Sequence, residues 1–507
     1  MKTAAAYDVS GRKTAVPSLQ LCIVLLATLT VVRLIGLHFS IVDLYIDESQ
    51  YWAWSREPAF GYFSKPPLLA WIIAAAERVC GTSEACARAP APLLYFGTSL
   101  VCYAIAKELY GARVAFWSAL TVTLAVGVVF SARIISTDVP LLFCWSVALL
   151  AYVKLLRAPS NRALPWAIVL GVALGLGLLA KYAMIYFLLC MVAAALIDDD
   201  ARFIWRRSFL WLALGIAALC LMPNLLWNFD NSFATFRHTA DNAEGSGMGF
   251  NLGKGFEFLG SQFAVFGPIV FGALLIVIVR LRGGHTPRED KLMLAFSLPV
   301  LGLITIVAFA TRAHPNWAAP AFISGAIVVT AAMIRDGSWG WMRLSLAIGV
   351  IAQAVLLVTD TMADRVKVPL IAKPDVYERT MGWRSLGDET LRFAARAEAK
   401  TIVGDGRDMV ASLIYYLRHD PRPVLTWPRR DVPGDHFDLT RPLTAAAQEP
   451  VLFVTACPSA ERLKGSFREV EPLGTFATPS GPTTSRDYHA FKLTGGRNPL
   501  PNLPFCG

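Results

Sequence analysis

The run from Ile41 to Trp71, IVDLYIDESQYWAWSREPAFGYFSKPPLLAW, decides the reading of this chain. It follows a long apolar stretch and is dense in Trp, Tyr and Phe. It carries a carboxylate pair, Asp47 and Glu48, and a basic residue, Lys65, in a Pro-rich turn. Aromatic rings of this kind gather where a membrane meets water. Acidic groups beside a membrane are costly unless paired or used. The segment therefore reads either as an interfacial loop with belt aromatics or as a site.

Composition supports the membrane setting. Of the 507 residues, 55% are hydrophobic and 17% charged, against about 45–50% and about 25% in soluble domains. A helical crossing needs about 20 mostly apolar residues. Candidate crossings are 19–37, 90–107, 114–130, 139–156, 165–180, 182–197, 209–227, 260–280, 292–309, 317–334 and 342–359, eleven in all. Leu68–Val79 is apolar but too short to cross, and is expected to lie at the interface. The first crossing has no small-residue cleavage site before Asp43 and is expected to stay as an anchor.

Lys and Arg concentrate in alternate loops, among them Lys2, Arg12 and Lys13, then Arg202, Arg206 and Arg207, then Arg280, Arg282, Arg288 and Lys291. Basic residues collect on the cytoplasmic side. The N-terminus is thus expected inside, and Asp47, Lys65 and the C-terminus outside. The net charge of +10 follows from these loops. No basic stripe interleaved with aromatics suggests nucleic acid.

From about Thr361 apolar runs shorten and Pro, Gly and charge rise. AKTIVGD (399–405), PVLTW, EPVLFVTAC and DYHAFKL read as strands, and RDMVASLIYYLR (407–418) as an amphipathic helix. The expected organisation is a transmembrane domain over 1–360 and a small α/β domain over 361–507 outside the membrane. Cys80 and Cys86 share one outer loop, and Cys457 and Cys506 the outer domain, so an oxidising compartment would favour these two pairs. Free thiols are the alternative. Cys22, Cys102, Cys144, Cys190 and Cys220 fall in crossings as small apolar residues.

Other polar residues return to the level of Asp47. Asp138 opens the fourth crossing in ARIISTDVPLLF, where Thr137 or Asp138 could simply cap the helix ahead of Pro140. Arg133 precedes it by one turn. Lys181 lies in LLAKYAMIY, and Arg312 and His314 in TRAHPNW. Singly, each basic residue suits an interfacial anchor. Together with the carboxylates they suit a site that binds an anionic group and activates a nucleophile. No Walker loop, GxGxxG after a strand, HExxH or GxSxG is present. Scattered His residues argue against a His-built metal site, while a divalent cation at Asp47 stays open.

DESQYWAWSREPAFGYFSKPPLLAW, RIISTDVPLLF, GLGLLAKYAMIY and HPNWAAPAF, in this order over about 19–360, resemble signatures of the dolichyl-phosphate-mannose protein mannosyltransferase-like superfamily. These are GT-C-fold glycosyltransferases (families 39 and 83), including bacterial aminoarabinose transferases acting on lipid A. The resemblance implies an all-α polytopic bundle with an outward cavity and a multi-pass protein of the bacterial inner membrane, with site and C-terminal domain periplasmic. It implies a sugar donor on a polyprenyl (undecaprenyl) monophosphate and an acceptor such as lipid A or another envelope lipid or glycan. Asp47 would be the catalytic carboxylate, with Glu48 and Asp138 beside it. Lys65, Arg312, Lys181 and Arg133 would hold the donor phosphate. Tyr51, Trp54, Tyr62, His314, Asn316 and Trp317 would line the cavity, and the protein would act as a monomer. Many relatives have Asp-His where this chain has Ser64-Lys65, which bears on the role of Lys65. A lipid-linked sugar flippase and a non-catalytic scaffold are the competing classes.

Overall fold

The computed structural model describes residues 17–244, 249–283, 286–367, 375–504 and 506. Among them, eight helices are long and apolar enough to cross a membrane: Leu19–Phe39, Glu84–Tyr110, Asp138–Arg157, Ser160–Ala180, Ser208–Asp230, Arg288–Ala310, Pro315–Arg335 and Trp339–Asp360. The three other expected crossings are helical but interrupted. The run 114–130 is split into Ala112–Thr123 and Val126–Ser131. The run 182–197 opens with a 3₁₀ turn, Tyr182–Ile185, before Tyr186–Ile197. The run 260–280 becomes Leu252–Val265 and Pro268–Arg280, bent by 116°. That bend has a local cause: Gly267 sits at φ +91°, and Pro268 has no N–H to continue a helix through it. The interfacial segment forms a helix over Leu68–Cys80.

Small residues let the crossings approach closely, as membrane helices require. A side chain at Gly171 would meet the Ala213 carbonyl at 2.5 Å, and one at Gly175 would meet Cys220 Cβ at 2.5 Å. This seam joins Ser160–Ala180 to Ser208–Asp230. It brings the C-terminal end of the first, where Lys181 sits, against Asn224 near the end of the second, through the Tyr182 hydroxyl (2.7 Å).

Beyond Asp375 the chain builds a five-stranded sheet in the order β2-β1-β3-β5-β4. The strands are β1 Thr401–Gly404, β2 Val424–Thr426, β3 Val451–Thr455, β4 Phe467–Pro479 and β5 Ser485–Gly496. β1 pairs parallel with β2 and β3, with Val403 opposite Leu425 and Phe453. β5 runs antiparallel to β3 and β4. β1 and β3 are buried along their whole length, as expected of parallel strands covered on both faces. The helices Trp383–Arg396 and Arg407–Tyr416 pack on the sheet through Leu386, Phe393, Val410 and Leu413. The sulfurs of Cys80 and Cys86 are bonded, as are those of Cys457 and Cys506.

The helix Ile46–Arg56 joins the two parts. Ile46 and Ala53 belong to the core of the sheet-bearing part, while Tyr51, Trp52 and Trp54 belong to that of the bundle. Trp52 meets Tyr415 edge-on at 4.9 Å, and the Tyr416 hydroxyl accepts from the Leu44 N–H at 2.9 Å. Glu48 locks this helix to the bundle. Its carboxylate takes Arg88 Nε at 3.0 Å and Nη2 at 2.7 Å, the Ile135 N–H at 2.8 Å and the Tyr45 N–H at 2.9 Å. Arg88 also donates to the carbonyls of Val42 and Asp43.

Two sequence-based expectations are corrected here. Glu48 is 2% exposed and all its acceptor positions are taken, so it positions the segment and has no free oxygen for catalysis. Arg133, expected at the donor phosphate, pairs instead with Asp360 at 2.8 Å and lies against the Tyr377 ring. The Tyr377 hydroxyl donates to the same Asp360 at 2.6 Å. Arg133 thus ties the last crossing to the chain beyond it.

Removing one partner of a buried, hydrogen-bonded ion pair costs about 3–5 kcal/mol. Arg88→Ala and Glu48→Gln are therefore expected to lower the thermal midpoint of the detergent-purified protein sharply. Asp47→Asn, one residue away but 40% exposed, is expected to leave it nearly unchanged. Equal effects in a thermal unfolding series would contradict this division of roles.

Candidate functional site

With Glu48 turned into the bundle, Asp47 projects from another face of the same helix. Asp47 Oδ1 takes Arg407 Nη1 at 3.0 Å; Arg407 opens the Arg407–Tyr416 helix of the C-terminal part. Arg407 Nη1 also donates to Gln50 Oε1 at 3.2 Å, and Gln50 Nε2 to Ser64 Oγ at 3.4 Å. Asp47 Oδ2 keeps no partner among the described residues. The Tyr51 ring is buried close enough to Asp47 and Asp138 for both charges to raise its phenol, with burial the larger cause.

The turn Glu57–Pro67 carries Lys65 and is pinned from several sides. Asn224 Nδ2 donates to the Phe60 carbonyl at 2.7 Å, Thr235 Oγ1 to the Tyr62 carbonyl at 2.7 Å, and Trp71 Nε1 to the Ala59 carbonyl at 3.0 Å. Gly61 packs on the Trp227 ring, which an added Cβ would meet at 2.3 Å. Lys65 itself has no ion pair or side-chain hydrogen bond among the described residues. Burial, then the charge of Lys181, pushes its ammonium below the usual lysine value, while Asp47 and Asp138 pull the other way. Lys65 is thus a partly desolvated cation without a counter-ion, within reach of both acids.

Asp138 does not cap its helix. Its Oδ1 takes Lys181 Nζ at 2.7 Å and its Oδ2 takes Asn316 Nδ2 at 2.6 Å. Each oxygen thus has one donor, and Asp138 links two residues from different crossings. Arg312 and His314 lie on the same loop as Asn316, exposed. Burial lowers His314, and the charges of Arg312, Lys181 and Lys65 lower it further. Trp317 meets the His314 ring at 5.6 Å.

Two aromatic residues expected in a cavity lie elsewhere. Trp54 and Tyr62 stack at 4.6 Å, at 2% and 1% exposure, with His436 edge-on to both. The Tyr62 hydroxyl donates to the Trp54 carbonyl at 2.9 Å. They shape the turn beneath Lys65 and present no surface to a ligand. Burial drops His436 to about 4, so it is neutral in this stack.

Sequence reading missed Arg407, Gln50 and His238; the last meets the Phe63 ring at 5.6 Å and feels Lys65 and Arg407. Only the position of Arg407, directly after Gly406 where the helix Arg407–Tyr416 begins, marks it in the sequence. No three His, Cys, Asp or Glu among the described residues converge to hold a metal ion.

Residues 64–227 match the family described as dolichyl-phosphate-mannose-protein mannosyltransferase. A lipid A galacturonosyltransferase, RgtD, from Rhizobium johnstonii is 34% identical over 84% of this chain and 89% of its own length. A lipopolysaccharide core galacturonosyltransferase, RgtA, from the same organism is 28% identical over 62% of this chain and 65% of that protein. Among solved structures, ArnT from Cupriavidus metallidurans superposes with a TM-score of 0.69 at 16% identity, covering 94% of this chain and 99% of ArnT. The same protein bound to undecaprenyl phosphate gives 0.68 at 17% identity, over 95% and 100%. The fold is that of ArnT, and the chain is a multi-pass bacterial membrane protein. It belongs to the GT-C glycosyltransferases, in the family of the rhizobial lipid A galacturonosyltransferase and related to the aminoarabinose transferases.

Proposed function

We propose that this glycosyltransferase moves a galacturonosyl residue from a polyprenyl-phosphate carrier to lipid A or a related envelope lipid at the periplasmic face. The observation that carries the reading is the pairing of opposites at one end of the bundle. Among the described residues, Asp47 keeps one carboxylate oxygen without a hydrogen bond, and Lys65, within its electrostatic reach, has no ion pair or side-chain hydrogen bond. The names of the relatives support the sugar and the acceptor. The periplasmic orientation is supported by the basic loops at the opposite bundle end and by the Cys80–Cys86 bridge beside the site, since disulfides persist in oxidising compartments.

The chemistry is a single displacement with inversion. The acceptor hydroxyl gives its proton to Asp47 Oδ2 as its oxygen bonds to the anomeric carbon. The bond from that carbon to the phosphate oxygen breaks, and polyprenyl phosphate leaves with the electron pair. Negative charge grows on the departing phosphate, and the partly desolvated Lys65 meets it. Arg407 and Gln50 hold Asp47 in register with Ser64 and its neighbour Lys65. Asp138 fixes Lys181 and Asn316. The 1–360 membrane portion thus carries the chemistry, and the 361–507 portion contributes Arg407.

A positioned general base contributes about 10²–10⁴-fold. Asp47→Asn is expected to lower kcat by about that factor in folded protein. In cells, mass spectra of lipid A from a deletion strain should lack a hexuronic acid present in the parent, restored by the wild-type gene and not by Asp47→Asn. Identical lipid profiles in deletion strain and parent would reject the reading.

The depressed Lys65 ammonium gives a pH signature. Its charge is lost as pH rises through a value below the ordinary 10.5. Donor KM should therefore climb on the alkaline side, earlier than for an exposed lysine. Lys65→Arg, charged throughout, should remove that limb; a KM profile unaltered by the substitution would separate Lys65 from the phosphate.

A further inference from the structure

Pro268, Gly272, Ile276 and Arg280 stand four residues apart on the half-crossing Pro268–Arg280, so they form one row along its length. All four line a single cavity of about 290 Å³. Its other wall is Val329 and Met333, from the buried crossing Pro315–Arg335, and Trp341, from the start of Trp339–Asp360. The cavity opens on the outside of the bundle, since Ile276 and Trp341 are 55% and 59% exposed. In a multi-pass membrane protein that outside is lipid. Gly272 gives the groove its depth: a Cβ added there meets no atom within 4 Å.

The groove has the length of one leaflet. From Pro268 to Arg280 the helix rises about 18 Å, at about 1.5 Å per residue, and half of a hydrocarbon core is about 15 Å. The apolar end of the groove lies at Gly267, where the crossing turns by 116°. Its polar end carries Arg280, Asp336 and Ser338. Trp341 stands near that end, as Trp does between tails and head groups. This end is remote from the site, because the crossing Pro315–Arg335 starts with Asn316, which holds Asp138, and finishes at Arg335.

There a second cavity, of about 250 Å³, adjoins the first through Val277, Arg280 and Ala332, and is lined also by Arg335, Asp290 and Thr286. Arg280 Nη1 pairs with Asp336, and Arg335 Nη2 with Asp290 Oδ2 at 2.6 Å. Two guanidinium groups thus match two carboxylates, and this lining has no net charge. Each guanidinium meets its carboxylate through one nitrogen and carries five N–H groups in all. Asp290 is 1% exposed, and among the described residues its Oδ1 has no hydrogen bond; the Tyr110 hydroxyl, buried and likewise without one, is its neighbour.

An anionic head group would bring an unmatched negative charge to this cup. A head group with both a phosphate and an ammonium would not. We propose that the groove binds a phospholipid with a zwitterionic, primary-ammonium head group, in the leaflet away from the site. One acyl chain lies along Pro268, Gly272 and Ile276. The phosphate meets Arg280 and Arg335, and the ammonium meets Asp290 Oδ1 and Asp336. A primary ammonium has three N–H donors for these carboxylates; a trimethylated one has none. A ligand that binds only the folded state stabilises it, so the lipid also steadies the broken crossing.

The test uses the full-length protein in detergent, stripped of lipid and given phosphatidylethanolamine, phosphatidylcholine or phosphatidylglycerol with matched acyl chains. Native mass spectrometry counts the lipid retained, and a thermal melt follows stability. Phosphatidylethanolamine is expected to stay bound and raise the thermal midpoint. The other two should bind roughly ten-fold more weakly or worse, as expected for losing a hydrogen bond to a charged group. Gly272→Leu, which fills the groove, should abolish retention. Arg280→Gln with Asp336→Asn, at a part-exposed pair, should erase the head-group preference. Lipid-free melts matching wild type show that the variants fold; if Gly272→Leu does not, the double variant decides.

No lipid retained by the wild type, or either other lipid retained as strongly, would overturn the proposal. Retention unchanged in a folded Gly272→Leu, or a preference unchanged in the double variant, would overturn it too. So would displacement by polyprenyl phosphate, which would assign the groove to the donor's tail. None of these readouts involves sugar transfer, so they stand apart from the functional reading above.

Discussion

The buried pair between Glu48 and Arg88 sets the geometry of everything near the site. A charged pair taken out of water is tolerable only when every acceptor and donor is met, and here the backbone N–H groups of Ile135 and Tyr45 and the carbonyls of Val42 and Asp43 complete it. Successive residues on an α-helix point about 100° apart. Fixing Glu48 inward therefore fixes Asp47 outward. The same pair anchors a helix shared by the bundle core and the core of the sheet-bearing part, so the two parts meet at Asp47.

Around that anchor the chain spends its polar residues in two ways. Some neutralise one another and act as struts: Asp138 with Lys181 and Asn316, Asp360 with Arg133 and Tyr377, Asp47 with Arg407. Lys65 is held in place and, among the described residues, left without an ion pair or a side-chain hydrogen bond. A desolvated, unmatched cation destabilises the empty protein and binds an anion strongly. The struts supply the rigidity that makes such a placement sustainable, and the turn around Gly61, pinned by Asn224, Thr235 and Trp71, shows how closely it is built.

Much of this was legible in the sequence, because antiparallel crossings put alternate loops at one level. Asp47, Lys65, Asp138, Lys181 and Arg312 each fall at a crossing end on the same side, so a count of crossings sufficed to group them. What the sequence hid was side-chain direction. Asp47 and Glu48 are neighbours of like charge, and only the helix phase and Arg88 give them opposite duties. Trp54 and Tyr62 carry the look of ligand-facing aromatics, yet they stack on each other with His436 edge-on to both. Arg407 comes 360 residues after its partner, from an amphipathic helix like many others. The broken crossings were hidden as well: hydropathy runs smoothly through Gly267, and its φ of +91° does not.

The most direct test of the account is a structure of the full-length protein with a non-transferable polyprenyl-phosphate sugar bound. The account expects a phosphate oxygen within about 3 Å of Lys65 Nζ, a hydrogen-bonding distance, with the anomeric carbon facing the free oxygen of Asp47. A phosphate seated away from Lys65, or an anomeric carbon turned from Asp47, would contradict it.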